Sequence, residues 1–168
     1  EAQRQWDVAY DVLKNLWIAI ELIDPVAGLP DMTFTGDCGM VYGKKFIASN
    51  FRHVERQGEV EPYANWLISH GYTMYTIPQH IFFEGLGDII YWDNDIVFGY
   101  GPRSSPEAIT EVKNILPELN VLGELDLKDD SFYHTALAIA FIGKGTVSYY
   151  PDAFTEKSER CIERSFKT

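Results

Sequence analysis

A repeat of about 50 residues limits what this chain can fold into more than any other feature. Tight-turn signals fall at Gly43-Lys44, at Asp93-Asn94-Asp95 and at Gly143-Lys144-Gly145. Apolar runs flank each turn: residues 39–42 and 46–48, 89–92 and 96–98, 136–142 and 146–150. Such runs around a Gly, Asn or Asp turn predict a β-hairpin. A helical pattern follows each hairpin, and another strand-like run follows the first two helices. Self-similarity at this period means one supersecondary unit used several times. Polar groups at matching points of stacked units can then converge on one place.

The remaining pattern fills in the units. Trp6, Ala9, Tyr10, Leu13, Leu16 and Trp17 recur at three- and four-residue spacing and predict an amphipathic helix over residues 1–16. Residues 17–23 read as a buried strand stopped by Asp24-Pro25, and residues 26–32 as a loop. A helix is expected over 61–70, with Pro62 in its first turn and Gly71 as a left-handed stop. Strands are expected over 72–77 and 120–127. A third helix opens at Ser105-Pro106-Glu107 and ends before Pro117, and a last one runs from Thr155 through Phe166. Helices and strands alternate, so the class is α/β; the hairpins exclude a simple all-parallel doubly wound sheet.

A length of 168 residues with 46% apolar content suffices for a domain with its own core. The net charge of −11 argues against a nucleic-acid partner and fits an anionic membrane surface poorly. Most of that charge serves solubility; a site built to receive a cation is the sharper reading. No apolar run approaches a membrane span. Two isolated cysteines, Cys38 and Cys161, make no disulfide framework and point to a reducing, cytoplasmic setting. No ligand spacing supports a metal, and no cofactor is called for. The chain starts abruptly at Glu1 and stops straight after a helical pattern, so both ends read as cut.

Three constellations could carry chemistry. In Phe83-Glu84-Gly85-Leu86-Gly87-Asp88, two glycines free the backbone between two carboxylates. Solvated acids on a turn would look the same, but the flanking Phe82, Phe83, Ile89 and Ile90 should leave at least one acid partly dry. In Pro30-Asp31-Met32-Thr33-Phe34-Thr35-Gly36-Asp37, Asp31 and Asp37 share a face if the stretch is extended, or sit in two surface turns if it is not. His134 opens an apolar strand, the usual place of a structural histidine. Yet Glu84 lies nine residues before the Asp93 turn, and His134 nine before Gly143. Superposed units would bring the two together, and a carboxylate beside an imidazole raises its pKa and orients it for proton transfer. His53, His70 and His80 read as surface residues. Cys38 should face away from Asp37, and Cys161 should pack within a helix.

These motifs, taken in order on the repeat, resemble the guanidino-group-modifying (pentein) superfamily of dimethylarginine dimethylaminohydrolase, arginine deiminase and the amidinotransferases. Pro30 to Asp37 is similar to its substrate-carboxylate motif, Phe83 to Asp88 to its Glu-Gly-x-Gly-Asp motif, and Phe132-Tyr133-His134 to the entry of its histidine strand. The resemblance implies an α/β-propeller of pseudo-symmetric ββαβ units, here about three of five in one catalytic domain over 1–168 that is truncated at both ends. It implies a hydrolase acting on a C–N bond of a small cationic guanidino substrate through a cysteine thiouronium intermediate. The alternatives are amidino transfer or guanidino binding without chemistry. Asp37, Asp31 and Asp88 would hold the substrate, while Glu84 and His134 would be catalytic. The family's late nucleophilic cysteine has no counterpart in this chain, and Ala136 stands where many relatives carry aspartate. Open edges would favour a homo-oligomer.

Overall fold

Three successive sheets, each begun by a hairpin, organise the chain. The computed structural model describes residues 1–168. In the first sheet β1 (Gly39–Tyr42) runs antiparallel to β2 (Lys45–Ala48), and β3 (Thr73–Thr76) adds parallel to β2. In the second, β4 (Ile89–Trp92) and β5 (Asp95–Tyr100) form the hairpin, and β6 (Asn120–Asp126) adds parallel to β5. In the third, β7 (Ile139–Gly143) pairs with β8 (Thr146–Tyr149), and Lys167 bridges Thr146 in parallel. The leading strands start 50 residues apart, at Gly39, Ile89 and Ile139.

A parallel third strand needs a crossover, and helices supply it. The elements α2 (Val54–Gln57) and α3 (Val60–Ser69) join β2 to β3, and α5 (Ala108–Ile115) joins β5 to β6. The last helix, α6 (Glu156–Ser165), packs on β6. Gly71 ends α3 at φ +80, with its N–H bonded to the Ile68 carbonyl, the left-handed stop expected there.

β5 is buried on both faces, and its alternation ties the units together. Ile96 and Phe98 enter a core with Met40, Ile47, Phe83 and Ile89, closed by Ala108, Ile109 and Val112 of α5. Val97, between them, enters a second core with Leu125, Ile139, Val147, Phe154 and Ile162. A period of two on a strand makes this division possible. Burying one such side chain contributes roughly 1.5–3 kcal/mol.

The N-terminal region departs from expectation. Helix α1 (Ala2–Asn15) forms but buries no residue. The strand expected over 17–23 is absent: Trp17 is 95% exposed at φ +59, and no strand pairs with the segment after it. Apolar content signals burial, but a strand also needs a partner backbone, and β1 pairs only with β2. Ile23 alone reaches a core, packing on Met32, Cys38, Phe51 and Tyr63. No helix is long and apolar enough to cross a membrane.

Candidate active site

Each leading strand is entered through a short turn: Thr35–Cys38 before β1, α4 (Gly85–Asp88) before β4, and Thr135–Leu137 before β7. The middle turn lies between the other two. Gly85 has φ +53, and a Cβ there would meet the carbonyl oxygens of Gly36 and Gly39 at 2.6 Å. Only glycine allows both the conformation and the approach. On the other side, a Cβ at Gly87 would lie 2.6 Å from His134 Nδ1. The three turns thus gather Asp37, Glu84, Asp88 and His134. The hairpin tips meet at Tyr42, whose hydroxyl donates to Asn94.

His134 is held among three carboxylates. Its Nε2 lies 3.5 Å from Glu84 Oε2 and 3.6 Å from Asp37 Oδ2, and its Nδ1 lies 3.4 Å from Asp88 Oδ1. These are ion-pair separations, longer than good hydrogen bonds, and neither ring nitrogen has a hydrogen-bond partner. His134, Glu84 and Asp88 are 4%, 0% and 1% exposed. Burial disfavours the imidazolium, but Asp37 and Asp88 outweigh it and push the His134 pKa up to about 9. Burial also works to raise the Asp37 pKa, and there the adjacent His134 and the hydrogen-bonded Arg56 win, holding it below the usual carboxylate value.

The acids differ in what else they touch. Glu84 accepts from the Arg52 N–H at 3.2 Å and from Arg103 Nη1 at 3.0 Å. The Arg103 guanidinium stands 4.7 Å from the centre of the Tyr133 ring. Asp88 accepts from the Ser104 hydroxyl at 2.6 Å and the Thr135 N–H at 3.1 Å. The sequence reading set Asp88 on the substrate; the structure sets it beneath His134, with both oxygens occupied and no outward face. Asp37 Oδ2 accepts from Arg56 Nη1 at 2.8 Å, and its side chain is 17% exposed. Asp31, also expected on the substrate, is half exposed at the edge, with Oδ2 3.9 Å from Arg56 Nε. A short 3-10 turn (Pro30–Thr33) replaces the extended stretch that would have aligned it with Asp37.

Sequence reasoning missed Arg56, Glu59, Arg103 and Ser104. Arg56 is 7% exposed and Glu59 1%, although the run from Arg52 to Glu59 alternates charges as a solvated loop does. An arginine three residues before a glutamate was the available signal. The cysteines stand apart from this chemistry. Cys38 Sγ donates to Glu59 Oε2 at 3.7 Å, and burial, with Glu59 beside it, pushes the thiol pKa far up. Cys161 packs near the Leu122 carbonyl. No group of histidine, cysteine or acidic side chains is arranged to hold a metal ion. A cavity of about 1180 Å³, with Trp6, Ile23, Met32, Phe46 and Trp66 in its walls, includes none of the four gathered residues.

No protein-family model matches the chain. It is 34% identical over 165 residues to the N(G),N(G)-dimethylarginine dimethylaminohydrolase of Mycobacterium tuberculosis, covering 98% of this chain and 53% of that protein. It is 37% identical over 165 residues to the bifunctional arginine dihydrolase/ornithine cyclodeaminase AgrE of Nostoc, covering 96% and 23%. The N-terminal domain of ArgZ, a cyanobacterial arginine dihydrolase solved with a covalent reaction intermediate and with substrate, superposes with a TM-score of 0.90. That match is 34% identical and covers 97% of this chain and 60% of the domain. The chain belongs to the guanidino-group-modifying superfamily. It spans about half the length of the mycobacterial relative and under a quarter of AgrE. Its mixed α/β architecture is that of its superfamily neighbours.

Proposed function

We propose that the protein carrying this chain hydrolyses a C–N bond of a small guanidino compound, arginine or an N-methylated arginine. The observation that carries the reading is His134, a buried imidazole raised to a pKa of about 9 among carboxylates from two other units. The mycobacterial relative and the cyanobacterial enzymes are named for hydrolysis at such groups, which favours water over an amine as acceptor. In this reading a single catalytic domain arranges ββαβ units as an α/β-propeller around His134. About three of five units lie in residues 1–168, and the nucleophilic cysteine lies in another.

The residues divide the work by geometry. Asp37 Oδ2 is taken by Arg56 and His134, and its Oδ1 carries no hydrogen bond, so Oδ1 receives the substrate's N–H donors. A carboxylate grips a planar guanidinium well. The thiolate from outside this chain adds to the guanidinium carbon, and a C–S bond forms. The protonated His134 gives its proton to the leaving nitrogen as the C–N bond breaks, leaving a thiouronium. The neutral imidazole then takes a proton from water as that water attacks the same carbon. That proton returns His134 to its charged form; collapse then releases the thiolate and a ureido product, whose remaining hydroxyl proton passes to the departed amine, which leaves as an ammonium ion. Glu84 and Asp88 hold the ring on its two sides, and Asp31 lies at the entrance.

The test is direct. The whole protein is incubated with arginine, agmatine and methylated arginines and assayed for ureido product. Replacing His134 by Ala lowers turnover by about 10²–10⁴-fold, the usual contribution of a general acid–base. Asp37→Asn abolishes the thermal shift produced by guanidino ligands. No ureido product from any of these compounds ends the hydrolase reading; a shift without product leaves a binding protein.

A further inference from the structure

Arg56 places a cation in the wall of a site proposed to bind a cation. Its side chain is 8% exposed, so water does little to screen its charge from an incoming guanidinium. Glu59 takes most of that charge. Arg56 Nε donates to Glu59 Oε1 at 3.1 Å and Nη2 donates to Oε2 at 2.9 Å, a two-point fork. The Arg56 guanidinium lies 4.5 Å from the centre of the Phe51 ring, which fixes its plane. Glu59 is itself 1% exposed and accepts from the Cys38 thiol. Only Nη1 is left to point at Asp37, and it bonds Oδ2 alone.

From this we infer that Glu59 is a positioning residue of the guanidino site. By neutralising Arg56 and occupying two of its donor nitrogens, Glu59 limits Arg56 to one bond with Asp37. Asp37 then keeps its Oδ1 and its net charge for the substrate cation. The inference rests on the guanidino reading above. Besides Glu59, the charged groups facing Arg56 are Asp37 at 2.8 Å and Asp31 at 3.9 Å. Those facing His134 are Asp37, Glu84 and Asp88, with Arg103 behind Glu84.

Glu59→Gln keeps the shape of the side chain and removes its charge. In the whole protein, affinity is measured for arginine and for citrulline, which carries a neutral ureido group on the same amino-acid frame. Glu59→Gln should weaken arginine on the order of tenfold and leave citrulline within about twofold of wild type. The His134 titration, followed by NMR, should move to lower pH, because the uncompensated Arg56 charge then faces the imidazolium. Glu59→Asp restores the charge and should recover the preference for arginine; it serves equally if Glu59→Gln fails to fold. Equal loss of both ligands, or an unmoved His134 titration, overturns the positioning role. A wild-type protein that binds neither ligand overturns the guanidino reading instead.

Discussion

Gly87 shows how a single missing side chain sets the site. A Cβ there would lie 2.6 Å from His134 Nδ1, 2.7 Å from Cε1 and 3.0 Å from Asp37 Oδ1. The imidazole therefore rests directly on backbone, with Asp37 beside it. Gly99 on β5 plays a similar part, since a Cβ at that position would come within 1.5 Å of Thr135 Oγ1. Thr135 is the residue whose N–H holds Asp88 under the ring. Gly87→Ala should lower stability by about 1–3 kcal/mol, the usual penalty for forcing atoms into a packed place. Urea denaturation measures it, and a second background identifies the cause. With His134→Ala, the two nearest atoms are gone and only Asp37 Oδ1 at 3.0 Å remains, so most of the Gly87→Ala penalty should disappear. An equal penalty in both backgrounds would show that the turn, not the imidazole, demands glycine.

At the scale of elements, the three hairpins were legible because local chemistry specifies them. Gly43 at φ +57, Asp93 at φ +54 and Gly145 at φ +68 sit where the turn signals fell, and apolar runs flank each. The meeting of Glu84 and His134 was legible for a related reason: equal distance from equivalent turns becomes a 3.5 Å separation once sheets stack. Partners were not legible. Residues 17–23 have the composition of a strand and no backbone to pair with, and Asp88 differs from Asp37 only in what surrounds it. Arg56 sits on α2, four residues long, too short to leave a periodic trace. Helix α1 has the amphipathic pattern but no buried residue. A helix of 14 residues that buries none of its side chains is marginal in water. Its amides should exchange with solvent at least about a hundredfold faster than those of β5, whose residues 96–99 are all buried. Hydrogen exchange read by NMR or mass spectrometry checks this; comparable protection would mean that α1 is held by contacts in solution.

His134 stands where the entry turns of all three units meet, so its charge acts on the whole molecule. Its folded pKa, about 9, lies above the 6.5 of an ordinary histidine. A raised histidine stabilises the fold fully below its unfolded pKa, and that contribution disappears as pH rises through the folded one. The loss should therefore fall between about pH 6.5 and 9 and total on the order of 3 kcal/mol. Asp37 has the opposite sign: its lowered pKa stabilises above the ordinary carboxylate range and loses effect only in acid. Cys38, whose pKa is raised from 9.0, weakens the fold only above that pH, when the unfolded thiol ionises. The window from 6.5 to 9 is thus left to His134 among the shifted groups. General repulsion also grows with pH in a chain of net charge −11, and His134→Gln separates the two effects. Urea midpoints of the wild-type protein should fall steadily across the window, whereas those of His134→Gln should stay nearly level. A slope that survives the substitution would assign the alkaline loss to net charge and remove the imidazolium from the forces joining the three units.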